Sequence, residues 1–133
     1  MKEGVEMENV KGELILYGIE NINENLDNIV GSLGLKDSIF EVKLIISEAI
    51  TNAFIHGNNS DKTKPINVKW DMNGNNLCIQ VKDCGRDNKD FEIDTDIDNS
   101  DFLSESGRGL FIISSYADEV EFKENTLIMK KVV

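Results

Sequence analysis

Three short stretches of this 133-residue chain pair chemically capable side chains with glycines that let a ligand come close. The first, Glu48-Ala49-Ile50-Thr51-Asn52-Ala53, puts a carboxylate and an amide four residues apart. The second, Asp83-Cys84-Gly85, sets an acid beside a glycine. The third, Ser106-Gly107-Arg108-Gly109, brackets a base with glycines. A carboxylate held near a hydroxyl can orient or deprotonate it. An amide oxygen suits a Mg²⁺ already coordinated by phosphate oxygens. Glycines ahead of a helix can turn free backbone N–H groups toward an anion. In this order the three stretches can hold a nucleotide, its metal and a general base.

The first stretch needs a helix to position it. Asp37 or Ser38 can cap one running to about His56 and closed by Gly57-Asn58-Asn59. At about 100° per residue, Val42, Ile46, Ala49, Ile50, Ala53 and Phe54 share one broad apolar face. Glu48 and Asn52 fall together on the opposite face, with His56 one turn further. An isolated Glu/Asn pair usually marks nothing more than a solvated face. Here Leu44, Ile45 and Ile55 border it, and polar groups framed by aliphatics mark a pocket wall. His56 is the only histidine, which excludes sites built on several histidines, and near a helix end it reads as a capping or packing residue.

The second stretch ends an alternating strand, where Asp-x-Gly is ordinarily a turn. Its functional reading is a carboxylate that accepts the adenine exocyclic amine while Gly85 lets the base approach the backbone. The third directly precedes the apolar run Leu110-Phe111-Ile112-Ile113. Either it is a hinge with an N-cap, or it cradles phosphate with the positive end of a helix, Arg108 adding a cation. It matches neither the dinucleotide fingerprint nor a Walker A loop, since no Lys-Ser/Thr follows the glycines.

The remaining periodicity supplies the scaffold. Leu14–Tyr17 reads as a strand, and Ile19, Ile22, Leu26, Ile29, Val30 and Leu33 recur at helical spacing up to Gly34. Ile66, Val68 and Trp70, then Leu77, Ile79 and Val81, alternate with polar residues around Met72-Asn73-Gly74-Asn75-Asn76, a hairpin with one wet face. A third helix starts near Gly109. Two more strands, Val120/Phe122 and Leu127/Met129, meet at Glu124-Asn125. This order predicts an α+β fold, a two-layer α/β sandwich with the helices on one face of a mixed, mainly antiparallel sheet. Residues 1–11 read as a loose tail, 12–133 as one domain, and about 86–105 as an acidic lid loop. Asp94-Thr95-Asp96-Ile97-Asp98 through Glu105 imitates a calcium loop. Asn99 replaces the required glycine and no helix precedes it, so the lid reading is preferred.

Bulk properties narrow the partners. With 14 basic against 25 acidic residues the net charge is −11, which argues against a nucleic-acid backbone as ligand. An acidic chain that binds a polyanion must rely on metal, backbone N–H groups and a few bases. No apolar run reaches the ~20 residues of a membrane helix, and the first residues carry no signal-peptide pattern, so a cytoplasmic protein without a membrane partner is expected. The two cysteines, Cys78 and Cys84, form no disulfide framework.

Taken together, these elements resemble the GHKL ATPase superfamily. Ser47-Glu48-Ala49-Ile50-Thr51-Asn52-Ala53-Phe54-Ile55-His56-Gly57 is similar to the N-box of bacterial anti-sigma factors that are also serine-protein kinases. Asp83-x-Gly85 and Gly107-Arg108-Gly109-Leu110-Phe111-Ile112-Ile113 resemble the two later glycine boxes. The resemblance implies a Bergerat-type fold binding ATP beneath the lid, with Mg²⁺ at Asn52 and Glu48 as the catalytic base. Asp83, Gly85, Ser106, Gly107, Arg108 and Gly109 would contact the nucleotide, and Thr126 would lie near the adenine. It also implies phosphorylation of a serine on an anti-sigma factor antagonist, sequestration of a sigma factor, and a homodimer joined through the first strand and helix. Two positions depart from the pattern: Arg86-Asp87 follow Gly85 where many members carry a glycine, and Glu105 precedes Ser106 where some carry a base. A nucleotide-gated binding module without phosphoryl transfer is the alternative the same residues allow.

Overall fold

The computed structural model describes residues 9–85 and 105–133, with side chains described over 9–85 and 109–133. The segment read as a lid and as a calcium-loop imitation therefore falls outside the described residues, apart from the backbone of Glu105. The elements run β1 (Asn9–Leu16), α1 (Ile22–Leu33), α2 (Ile39–Asn52), β2 (Ile66–Asn73), β3 (Asn76–Lys82), α3 (Glu105–Tyr116), β4 (Glu119–Lys123) and β5 (Thr126–Val132). All five strands form one sheet in the order β1-β2-β3-β5-β4. Every neighbouring pair is antiparallel, in keeping with the mainly antiparallel sheet and two-layer sandwich expected from the sequence.

Period-two alternation divides the sheet's faces. Ile66, Val68, Leu77, Ile79, Val81, Leu127 and Met129 are buried beneath the helices. The intervening Lys69, Gln80, Lys82 and Lys130 are exposed on the other side. From above, α1 contributes Leu26, Ile29 and Leu33; α2 contributes Val42, Ile45, Ile46, Ala49 and Ile50; α3 contributes Ile113. Each fully buried aliphatic side chain in this layer stabilises the fold by about 1.5–3 kcal/mol before entropy is counted. Helix α2 is flanked by α1 and α3, which places it at the centre of the helical layer.

Turn chemistry fixes the register. Gly34 ends α1 in the left-handed conformation (φ 66°). Glu124 and Asn125, both at positive φ (53° and 61°), make the two-residue turn between β4 and β5. In the β2–β3 hairpin Asn73 pairs with Asn76, so the turn residues are Gly74-Asn75 and Gly74 supplies the positive φ. Ser38 precedes α2 as expected, but at φ 67° and without a side-chain capping bond. Two boundaries differ from the sequence reading. Strand β1 starts at Asn9 because residues 9–11 pair with Asp71, Met72 and Asn73 of β2, which the polar composition of that stretch conceals. Helix α3 starts at Glu105, so Ser106-Gly107-Arg108-Gly109 forms its opening turns and is not a separate loop ahead of it. Among the described residues no helix is long and apolar enough to cross a membrane.

Candidate functional site

The site forms where the C-terminal half of α2 meets the start of α3. Glu48 and Asn52 lie one turn apart on α2, both partly buried. Gly109 of α3 is packed against them. A Cβ built on Gly109 would stand 3.0 Å from Glu48 Oε1, 3.1 Å from Asn52 Nδ2 and 3.4 Å from Asn52 Oδ1. Glycine costs about 1 kcal/mol in a helix interior relative to alanine. Here its missing side chain leaves room for the carboxylate and the amide between the two helices. Asn52 Nδ2 is buried without a hydrogen-bond partner among the described residues. A buried amide left unpaired costs about 1–3 kcal/mol, so this atom marks a place where a polar ligand would be welcome.

The first N–H groups of any α-helix lack intrahelical partners, and in α3 these include the groups of residues 105–107. They carry the positive end of the helix dipole. An anion placed at this end of α3 would meet the backbone of the glycine-containing turn, whose Gly109 packs on Glu48 and Asn52. The side chains of Ser106 and Arg108 lie outside the described residues.

Helix α2 does not stop in the usual way. Residues Ala53–Gly57 widen into a π turn, in which the Asn58 N–H donates to Ala53 O at 2.8 Å. This turn brings Gly57 against the end of β3, where the Asp83 carboxylate lies in the space a Gly57 Cβ would fill. Asp83 Oδ1 accepts from the Gly85 N–H at 2.7 Å, and the Asp83 N–H donates to Asn125 O at 3.0 Å. The carboxylate is thereby held at the strand end between the helix terminus and the β4–β5 turn. Gly85 has φ 76° and its Cα faces the Asn125 side chain, leaving no room for a Cβ there.

Two residues of the expected helix stop, Gly57 and Asn58, also shape this region. Gly57 makes the space for Asp83. Asn58 is completely buried, with Nδ2 donating to Lys64 O and Pro65 O, both at 3.1 Å, while Oδ1 accepts from the Cys84 N–H at 2.8 Å. A polar residue after a helix end is ordinarily solvated, so spacing alone carried no signal for this burial. Thr126 follows Asn125, whose carbonyl accepts from the Asp83 N–H. It pairs with Lys82 at the start of β5 and donates its hydroxyl to Glu124 O at 3.2 Å. The helix-facing position beside Val81 belongs to Leu127, because strand alternation turns Thr126 to the other face.

The arrangement has a carboxylate beside an amide, a helix N-terminus next to both, and a second acid fixed near the far end of the same helix. Among the described residues no three His, Cys, Asp or Glu side chains gather into a metal centre. A metal here would have to share its coordination with a ligand's oxygens; Asn52 Oδ1, beside Gly109, is a protein oxygen that could join them, while the unpartnered Nδ2 is a donor suited to a ligand oxygen.

Comparison with known proteins gives a consistent picture. A sequence profile for the histidine kinase-like ATPase domain matches residues 21–131. The chain is 36% identical over 109 residues to Serine-protein kinase RsbW of Staphylococcus aureus strain JH9, covering 73% of this chain and 67% of that protein. The proteins of the same name from strains Newman and bovine RF122/ET3-1 match with the same identity and coverage.

Proposed function

Because the chain belongs to the histidine kinase-like ATPase domain family, we propose that it binds ATP at the α2–α3 site and transfers the γ-phosphoryl group to a serine of a partner protein. The observation that carries this reading is the seating of Gly109 on Glu48 and Asn52. It joins a candidate base, a candidate metal ligand and the positive end of a helix in one place. The name of the similar staphylococcal proteins, serine-protein kinase, supports serine as the acceptor class.

In this reading Asp83 accepts the adenine amine, with Gly85 giving the base access to the backbone. The N–H groups at the start of α3, with Ser106, Gly107, Arg108 and Gly109 around them, face the phosphates. Asn52 would hold Mg²⁺, which when bound would supply charge neutralisation on the phosphate oxygens. Glu48 takes the proton of the serine hydroxyl as its oxygen bonds to the γ-phosphorus. The bond from that phosphorus to the β–γ bridging oxygen breaks, and ADP leaves with the electron pair. Positioning and charge account for nearly all of the catalysis. The proposal extends to the partners: an anti-sigma factor antagonist as phosphoacceptor and a sigma factor as sequestered ligand, with a cytoplasmic homodimer as the working form.

The test is incubation with Mg²⁺, γ-labelled ATP and candidate antagonist proteins from the same genome. Label on a serine of one of them is the expected result. Tight ATP binding with no label on any candidate would contradict the kinase and favour a nucleotide-gated binding module.

A further inference from the structure

Asn58 ties the end of the π turn to the strand end that carries Asp83. It lies on the first position beyond the π turn of α2 and is 0% exposed. Both of its amide hydrogens are used on the carbonyls of Lys64 and Pro65, and its oxygen receives the Cys84 N–H. Its own backbone N–H closes the π turn on Ala53, and its carbonyl accepts from the Asp61 N–H at 3.1 Å. Adjacent residues thus clamp adjacent residues: Gly57 meets the Asp83 side chain, and Asn58 holds the Cys84 backbone. Cys84 lies between Asp83 and Gly85, whose N–H is bonded to the Asp83 carboxylate. The Cys84 peptide and the Asp83 carboxylate are thus parts of one hydrogen-bonded turn anchored on Asn58.

We propose that Asn58 is a positioning residue for base recognition, fixing the direction of the Asp83 carboxylate through the Cys84 peptide and coupling it to the helix that carries Glu48 and Asn52. This rests on the reading of Asp83 as the acceptor of the adenine amine. A residue that served only to hold the 58–65 connection would leave base choice untouched. One that aims the carboxylate sets the preference for a base with an amine over one with a carbonyl at the same place.

The experiment compares ATP with inosine triphosphate, which carries a carbonyl in place of the amine, in direct binding to the full chain with Mg²⁺. The wild type is expected to favour ATP by about tenfold or more, and Asp83→Asn to lose most of that preference. Asn58→Ala is expected to lower the ATP-to-inosine-triphosphate ratio toward that of Asp83→Asn while leaving inosine triphosphate affinity within about twofold. A wild-type ratio retained in Asn58→Ala, with Asp83→Asn still defective, overturns the positioning role and leaves the adenine site standing. A wild type with no preference overturns the Asp83 reading and the inference with it. If Asn58→Ala does not fold, amide hydrogen exchange on the wild type decides. The Cys84 amide is expected to be protected without nucleotide, and exchange at the rate of an unprotected loop overturns the proposal.

Discussion

Glu48 and Asn52 stand one helical turn apart, and each finds a different use for the same neighbour. Gly109 leaves the space, Glu48 brings a proton acceptor to its edge, and Asn52 brings an amide whose Nδ2 has no partner among the described residues. Replacement of Glu48 by Gln keeps the shape and removes the base. Glu48→Gln is expected to bind Mg–ATP within about twofold of wild type and to transfer phosphate at least about a hundredfold more slowly, measured by single-turnover label transfer. Unchanged transfer would remove Glu48 from the catalytic role. These two residues were legible in the sequence because aliphatic flanks set them apart from a solvated helix face. Asn58 was not, because a single sequence does not distinguish an asparagine that ends a helix in solvent from one that is buried with every hydrogen bond made.

The elements decide whether those side chains meet. Helix α3 reaches back to Glu105 and packs Gly109 on α2, while the π turn at 53–57 lifts Gly57 onto Asp83. The two glycines keep open two different contacts, so their alanine variants are expected to fail differently. Gly109→Ala crowds Glu48 Oε1 at 3.0 Å and should depress phosphate transfer more than adenosine affinity. Gly57→Ala displaces the Asp83 carboxylate and should weaken adenosine and ATP together by about tenfold. Binding of adenosine and ATP to both variants, with transfer rates, separates the two cases; identical profiles would contradict the division. The helices and hairpins were readable from periodicity and turn residues. The start of α3 was hidden because two glycines in four residues read locally as a turn, and only packing on α2 repays their low helix propensity. The first residues of β1 were hidden because polar strand residues carry no alternation when their partners, not their apolar faces, define the pairing.

At the scale of the molecule, an antiparallel five-stranded sheet beneath three helices carries a net charge of −11 and belongs to a family of ATPases. Whole-chain charge opposes a polyanionic ligand, so in the proposed reading affinity comes from local groups: the N-terminal N–H groups of α3, a metal shared with Asn52, and recognition of the base by Asp83. The sandwich itself followed from the order of elements, since helices segregated from sheet hairpins have few ways to bury one core. What that order leaves open is which parts of the three stretches meet, and the fold sets Gly109 of α3 against Glu48 and Asn52 and the Asp83 carboxylate against Gly57, just beyond the end of α2. The most direct test of that convergence is a calorimetric titration of the wild type and Asp83→Asn with ATP and with GTP in the presence of Mg²⁺. The account predicts that the wild type binds ATP well above GTP and that Asp83→Asn loses about tenfold in ATP affinity with GTP nearly unchanged. Equal affinity of the wild type for both nucleotides, or an equal loss of both in the variant, would contradict it.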